Sequence, residues 1–323
     1  MSAHLPLRSS LLCLFRLLLL VHPAFAAPLV GGNTYPINGV QNPPTSFGTI
    51  TNAVTFLTSQ GVTGSGQVVL QLLSGYPGDT APIVIAPISG VSATLGVTFR
   101  PGSGFTATTA IAATSTDHYA IQVLSSYVTL DGRQGGVGST RSWTIRSTGT
   151  TSPTQSGPAV WILASGSVNG VTVRYCTLES QAATPRPDVL KLDFGGLVGD
   201  LLNGAIVEQN LVRGTSGNAG NGIRVDSVGG TLTIQNNSVD AVSAGGIYYF
   251  GQHTGLVIAG NTITSTLADV STTDFNGIAV NWNMSPGASV EKNLIYVSGV
   301  SGSTGAVRGI HVGSAGQTGS PLR

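Results

Sequence analysis

The sequence predicts an all-β fold in which the chain coils as a parallel β-helix, and two recurring phrases with their uneven spacing predict it. The first phrase is Val207-Glu208-Gln209-Asn210-Leu211-Val212. It returns as Ile234-Gln235-Asn236-Asn237-Ser238-Val239, Ile258-Ala259-Gly260-Asn261-Thr262-Ile263 and Val290-Glu291-Lys292-Asn293-Leu294-Ile295. Its anchoring asparagines lie 27, 24 and 32 residues apart. A constant phrase at unequal intervals means a fixed rung separated by loops of variable length. The second phrase, Asn221-Gly222-Ile223-Arg224-Val225, returns as Gly246-Ile247-Tyr248-Tyr249, Asn276-Gly277-Ile278-Ala279-Val280 and Arg308-Gly309-Ile310-His311-Val312. Each copy opens a new turn, so one turn holds several short strands. These segments alternate apolar and polar residues with period two and are punctuated by Gly, Asn and Ser, which excludes a helical coil.

Each anchoring asparagine sits between apolar residues of neighbouring strands, where the chain must bend sharply. Asn tolerates the left-handed backbone that such a bend needs. Stacked about 4.8 Å from its equivalent in the next rung, its amide can also hydrogen-bond along the stack. Asn210, Asn237, Asn261 and Asn293 are therefore expected to form a structural ladder.

The elements follow in order. Arg8, the apolar run Leu11 to Val21 and the small-x-small site Ala24-Phe25-Ala26 read as an export signal over residues 1–26, cleaved after Ala26. Arg16 interrupts the run, which is shorter than the roughly 20 apolar residues of a membrane span. Leu12 ahead of Cys13 lacks the small side chain of a lipid-anchor site. Residues 27–45 read as a linker. Phe47, Ile50, Val54 and Leu57 recur at helical intervals after Ser46, a fitting N-cap, and predict a helix from Ser46 to Leu57 that covers the open end of the coil. Strands are expected at Val68 to Leu73, Ile83 to Ala86, Val97 to Arg100, Ala120 to Val123, Val128 to Leu130 and Ser142 to Ile145. Later turns start near Ala159, Val189, Gly222, Gly246, Gly277 and Gly309, which makes roughly seven or eight turns in one domain spanning residues 46–323. The last of them cannot be completed by Gly316 to Arg323, so the chain reads as truncated there.

Composition narrows the function. Charged residues make up 8% of the chain and balance to +1, which leaves no basic stripe for nucleic acid or an anionic membrane. The 41% apolar content and the regular rungs supply a folded core despite 45 glycines. Once the signal is removed Cys176 is the single cysteine, so stability must come from stacked strands without an internal disulfide. Cys176 holds the rung position that later turns give to asparagine and reads as a small stacked residue. His118, His253 and His311 have no partner at metal-ligand spacing. Gly132-Arg133-Gln134-Gly135-Gly136 opens no helix and reads as a loop between rungs.

Thr34-Tyr35-Pro36-Ile37-Asn38, the Phe47 to Leu57 helix, Gly61-Val62-Thr63-Gly64-Ser65-Gly66-Gln67-Val68-Val69, Val128-Thr129-Leu130-Asp131-Gly132 and Val173-Arg174-Tyr175-Cys176-Thr177-Leu178-Glu179 resemble large secreted bacterial surface proteins with right-handed β-helix repeats, of the pectate-lyase-like superfamily. The resemblance implies a single-stranded right-handed parallel β-helix with an N-terminal capping α-helix, in a secreted or outer cell-surface protein. It does not imply one activity, because that superfamily holds lyases, hydrolases, adhesins and passive stalks.

No adjacent Asp-Asp pair of the polygalacturonase kind occurs, and the pectate-lyase pattern of an Arg beside several calcium-binding aspartates has no compact counterpart. Stacking the turns instead aligns two outward columns. One reads Gln122, Trp161, Lys191, Arg224, Tyr248, Ala279, His311, and the other Leu124, Leu163, Asp193, Asp226, Phe250, Asn281, Gly313. Trp161, Lys191, Asp193, Arg224, Asp226, Tyr248, Phe250 and Asn281 then form a face suited to an extended sugar chain. For an acidic sugar, Lys191 and Arg224 would neutralise the uronate, Asp193 and Asp226 would hold calcium, and Tyr248 or His311 would move a proton. The competing reading makes Lys191 with Asp193 and Arg224 with Asp226 solvated ion pairs. Glu179, Arg213 and Asp240, aligned with alternating sign, read as charge pairing between rungs. The functional expectation is a monomeric surface module for adhesion or glycan binding, without catalysis. The alternative is a lyase cleaving acidic polysaccharide by β-elimination.

Overall fold

The computed structural model describes residues 26–112, 119–148, 157–181, 188–195, 199–214, 219–240, 242–266, 274–281, 287–298 and 306–313. Residues 1–25 of the expected signal segment 1–26, His118 and the tail 314–323 lie outside them. No helix among the described residues is long and apolar enough to cross a membrane.

Three parallel sheets of nine, eight and seven strands run the length of the coil. The chain visits them cyclically: Val128–Asp131 in the nine-stranded sheet leads to Trp143–Thr148 in the seven-stranded sheet, then to Val160–Ala164 in the eight-stranded one. The next turn repeats the order with Thr172–Arg174, Cys176–Ser180 and Leu190–Phe194. This is the parallel β-helix that the phrases predict, and the first strands, Val68–Leu72, Ile83–Ile85 and Val97–Pro101, fall where they are expected. Period-two alternation turns one apolar side chain in two inward. Val128, Leu130, Val173, Val207, Ile234 and Ile258 are buried in one continuous core.

Two expectations about the N-terminal end are corrected. The segment read as a linker already belongs to the coil, since Thr34–Ile37 pairs with Val68–Leu72 and Leu29–Val30 pairs with Val62–Thr63. Pro36 masks this strand in the sequence, yet it lies at the edge of the nine-stranded sheet, where a missing N–H is tolerated. The helix spans Ile50–Gln60 and its N-cap is Thr49, not Ser46. Ser46 and Phe47 stay extended: Ser46 Oγ donates to Val40 O, and Phe47 bridges Ile37. Thr49 and Asn52 form a reciprocal capping box, and the Asp79 carboxylate accepts from Ile50 N at 3.2 Å, Thr51 N at 2.8 Å and Thr51 Oγ1 at 2.6 Å. Ile50, Ala53, Val54, Phe56 and Leu57 are buried, and Phe47 meets Phe56 with ring centroids 5.5 Å apart. The helix therefore packs its apolar side into the core, as the periodicity predicts. From Asp79 a polar chain runs inward through Tyr76 Oη (2.7 Å) and Thr109 Oγ1 (3.1 Å) to Trp143 Nε1 (3.0 Å), tying the cap to the coil.

The asparagine ladder is present, with one change. The Oδ1 of Asn237 accepts from both the backbone N and the Nδ2 of Asn210 at 3.0 Å, and its own Nδ2 donates to Val207 O at 2.9 Å. Asn261 repeats these bonds to Asn237 and Ile234, and Asn293 to Asn261 and Ile258. Asn210 and Asn261 are fully buried. The left-handed residue is not the asparagine but the one before it: Gln209 (φ 58°), Asn236 (54°), Gly260 (64°) and Lys292 (56°). That residue makes the corner, and the asparagine is left to bond along the stack with both backbone and side chain. Left-handed non-glycine residues cost about 1 kcal/mol each, which the buried amide bonds offset.

Cys176 extends the ladder by one turn, with Tyr175 (φ 52°) at its corner. Its N–H donates to Asn210 Oδ1 at 2.9 Å, and its Sγ lies 3.7 Å from Leu130 O, the place that Nδ2 takes in later turns. Burial pushes the thiol well above its ordinary pKa, so it stays protonated and unreactive.

Candidate functional site

The outer face of the eight-stranded sheet holds both predicted columns in register. Gln122 pairs with Trp161, Trp161 with Lys191, Lys191 with Arg224, Arg224 with Tyr248, Tyr248 with Ala279 and Ala279 with His311. In the second column Leu163 pairs with Asp193, Asp193 with Asp226, and Phe250 with Asn281. Period-two alternation places all of these side chains opposite the core residues Leu192, Val225 and Ile278.

Electrostatics divide this face into self-contained units. Lys191 Nζ lies 2.6 Å from Asp193 Oδ2 on its own strand and 5.2 Å from the centroid of the Trp161 ring. Arg224 Nε lies 2.5 Å from Asp226 Oδ2, and the guanidinium sits 5.3 Å from the Tyr248 ring centroid. Each cation is thus held by a carboxylate two residues along and by a ring on a neighbouring rung. Tyr119 packs against Trp161 with ring centroids 5.7 Å apart, and the Trp161 indole N–H is buried with no acceptor among the described residues.

A third column, which the sequence reading overlooked, borders these two. Asp188 is 5% exposed; its Oδ1 accepts from Asn221 N at 3.1 Å and Nδ2 at 2.9 Å, and its Oδ2 stands 3.9 Å from Arg224 Nε. Burial raises the Asp188 carboxyl above the ordinary carboxylate range, against the lowering effects of Arg224 and Asn221. The signal was available: Asp188 precedes Val189 as Asn221 precedes Gly222, but only the phrase with glycine is conspicuous.

Of the acid–base candidates read from the sequence, Lys191, Arg224 and Tyr248 fall on adjacent rungs, and His311 stands apart from them. Tyr248 and His311 are two rungs apart with buried Ala279 between them. Asp193 and Asp226 are neighbours but each already neutralises a cation, and among the described residues no group of three or more acidic, His or Cys side chains converges. Two occupied carboxylates fall short of the six to eight oxygens that calcium takes, so they do not fit a calcium cage.

Elsewhere the structure pairs charges between rungs, as expected for Glu179, Arg213 and Asp240, which lie in register in the seven-stranded sheet. Buried Glu179 binds Arg213 on one side and, missed from the sequence, Arg146 at 2.5 Å on the other. Buried Asp131 holds Arg174 of the next rung at 3.0 Å and Arg133, two residues along its own turn, at 2.7 Å. His253 is 1% exposed and its Nδ1 lies 3.1 Å from Tyr249 Oη. Its Nε2 is buried without a partner among the described residues, and burial lowers its pKa from 6.5 to about 4.

The family model described as right handed beta helix region matches residues 109–302. No curated protein and no solved structure matches the chain.

Proposed function

We propose that this chain, which belongs to the right-handed β-helix family, is an exported, monomeric surface module that binds an extended glycan along the Trp161 to His311 face without cleaving it. The observation that carries this reading is the registered run of Trp161, Lys191, Arg224 and Tyr248 on four adjacent parallel strands. Parallel stacking repeats recognition groups about every 4.8 Å along the axis, which suits a linear polymer better than a compact small molecule. Phe250 (38% exposed) and Asn281 in the flanking column widen the same surface. The lyase alternative has less support, because it needs a free base beside bound calcium, and the carboxylates and cations here are tied to one another.

The test is retention on a glycan array of the secreted protein against Trp161→Ala with Tyr248→Ala. Both side chains point outward, so the variant should keep its melting temperature and lose retention. Equal retention by the folded variant would assign binding elsewhere. Release of an unsaturated uronate from acidic polysaccharide, read by its ultraviolet absorbance, would establish the lyase instead. Export is checked separately: the mature chain should begin at Ala27, and recovery of intact Met1 chain in membranes would contradict it.

A further inference from the structure

We propose that the polymer recognised by this face is a neutral polysaccharide, held through its hydroxyl groups by the Lys191–Asp193 and Arg224–Asp226 pairs; this rests on the glycan-binding reading above. The two cations have been matched to an acidic sugar by residue type alone. Geometry reverses that assignment. Among the described residues, the strands of the eight-stranded sheet, with Asp188 and Asp274 just ahead of two of them, carry three cations, Lys191, Arg224 and Arg308. They also carry four carboxylates, Asp188, Asp193, Asp226 and Asp274. Asp240, two residues ahead of Val242, belongs to the seven-stranded sheet in register with Arg213. Every one of these cations lies close to a carboxylate: Lys191 at 2.6 Å from Asp193, Arg224 at 2.5 Å from Asp226 and Arg308 at 2.5 Å from Asp274. The formal balance of these seven groups is one negative charge. A uronate or sulfate approaching this surface meets no surplus positive charge and must break an existing ion pair to gain one.

A hydroxyl group asks for something different. It donates one hydrogen bond and accepts another, and a carboxylate fixed beside an ammonium or guanidinium offers an acceptor and a donor within one O–H group's reach. Both contacts of Arg224 with carboxylates run through Nε. The remaining donors of its planar fork are the Nη groups, suited to a pair of neighbouring hydroxyls. The rings of Trp161 and Tyr248, beside the Lys191 ammonium and the Arg224 guanidinium, add apolar surface for the C–H side of a sugar ring. The two pairs stand on adjacent rungs, so one polymer can engage both in succession.

The probes are mannan, xylan and β-glucan as neutral matrices, with polygalacturonate, alginate and chondroitin sulfate as acidic ones. Wild-type protein should be retained on a neutral matrix, with retention changing less than about twofold between roughly 0.02 M and 0.5 M NaCl, because a neutral polymer carries no charge to be screened. The double variant Asp193→Asn with Asp226→Asn removes the carboxylate nearest each cation, turns the balance positive, and should lose that retention and gain salt-sensitive retention on polygalacturonate; a thermal melt checks its fold. Wild-type retention confined to acidic matrices and falling about tenfold or more with salt would overturn the neutral-ligand proposal while leaving the face itself as the glycan site. Retention unchanged in the Trp161→Ala, Tyr248→Ala variant, or absent from every matrix, would fail the glycan-binding reading and this proposal together.

Discussion

Asn237→Leu removes the middle of the buried amide ladder while keeping the number and branching of the side-chain heavy atoms. Its cost can be worked bond by bond. The Asn237 side chain bonds three groups: the Asn210 backbone N–H, the Asn210 Nδ2, which keeps a second bond to Val173 O, and Val207 O. Asn261 Oδ1 keeps its bond from the Asn237 backbone N. Three buried hydrogen bonds lost, one of them from an amide that keeps a second partner, at about 1–3 kcal/mol for each group deprived of its partner and with partial relaxation, give a loss of roughly 2–5 kcal/mol. Asn293 is only half-buried, so Asn293→Leu should cost less than half as much. Urea denaturation followed by far-ultraviolet circular dichroism measures both, and the slope of the transition should be unchanged if the coil still unfolds as before. A loss below about 1 kcal/mol for Asn237→Leu, or a larger loss for Asn293→Leu, would refute the claim that these amides hold the bend.

Three further perturbations probe other joints. Asp79→Ala removes the carboxylate that caps Ile50 and Thr51 and anchors Tyr76, and should cost about 1–2 kcal/mol in the same denaturation assay; an unchanged midpoint would show that the Thr49 box suffices alone. Glu179→Ala leaves Arg146 and Arg213 facing each other without their shared carboxylate, and because both arginines are partly exposed the loss should be roughly 1–3 kcal/mol. Buried neutral His253 titrates near 6.5 when unfolded and near 4 when folded, so the stability of its neutral form is intact above pH 6.5 and is lost as the pH falls toward 4, by about 3 kcal/mol. His253→Gln should flatten the stability profile over that window, and a profile as steep as wild type would reject the assignment.

The coil was legible because its determinants are local and repeated. Period-two alternation, the recurring Asn and the Gly-Ile phrase each act within a few residues, so the two outward columns could be aligned correctly from Trp161 to His311. What stayed hidden depends on the turn above or below. The left-handed corners fall on Gln209, Asn236, Gly260 and Lys292, four residues of four types, since the stack rather than side-chain chemistry imposes that conformation. The strand at Thr34–Ile37 was obscured by Pro36, whose tolerance follows only from its place at a sheet edge. The helix start moved to Thr49 because Phe47 is claimed by Ile37. At the candidate site residue types were readable but the charge balance was not: Asp188 enters only when stacking sets it against Asn221 and Arg224.

The most direct test of the central claim is hydroxyl-radical footprinting of the wild-type protein with and without the retained polysaccharide. Bound polymer should protect Trp161, Tyr248 and Phe250 on the eight-stranded sheet, while Leu294 and Tyr296, each 62% exposed on the seven-stranded sheet, keep their reactivity. Protection of Leu294 and Tyr296 with Trp161 and Tyr248 unchanged would contradict the account.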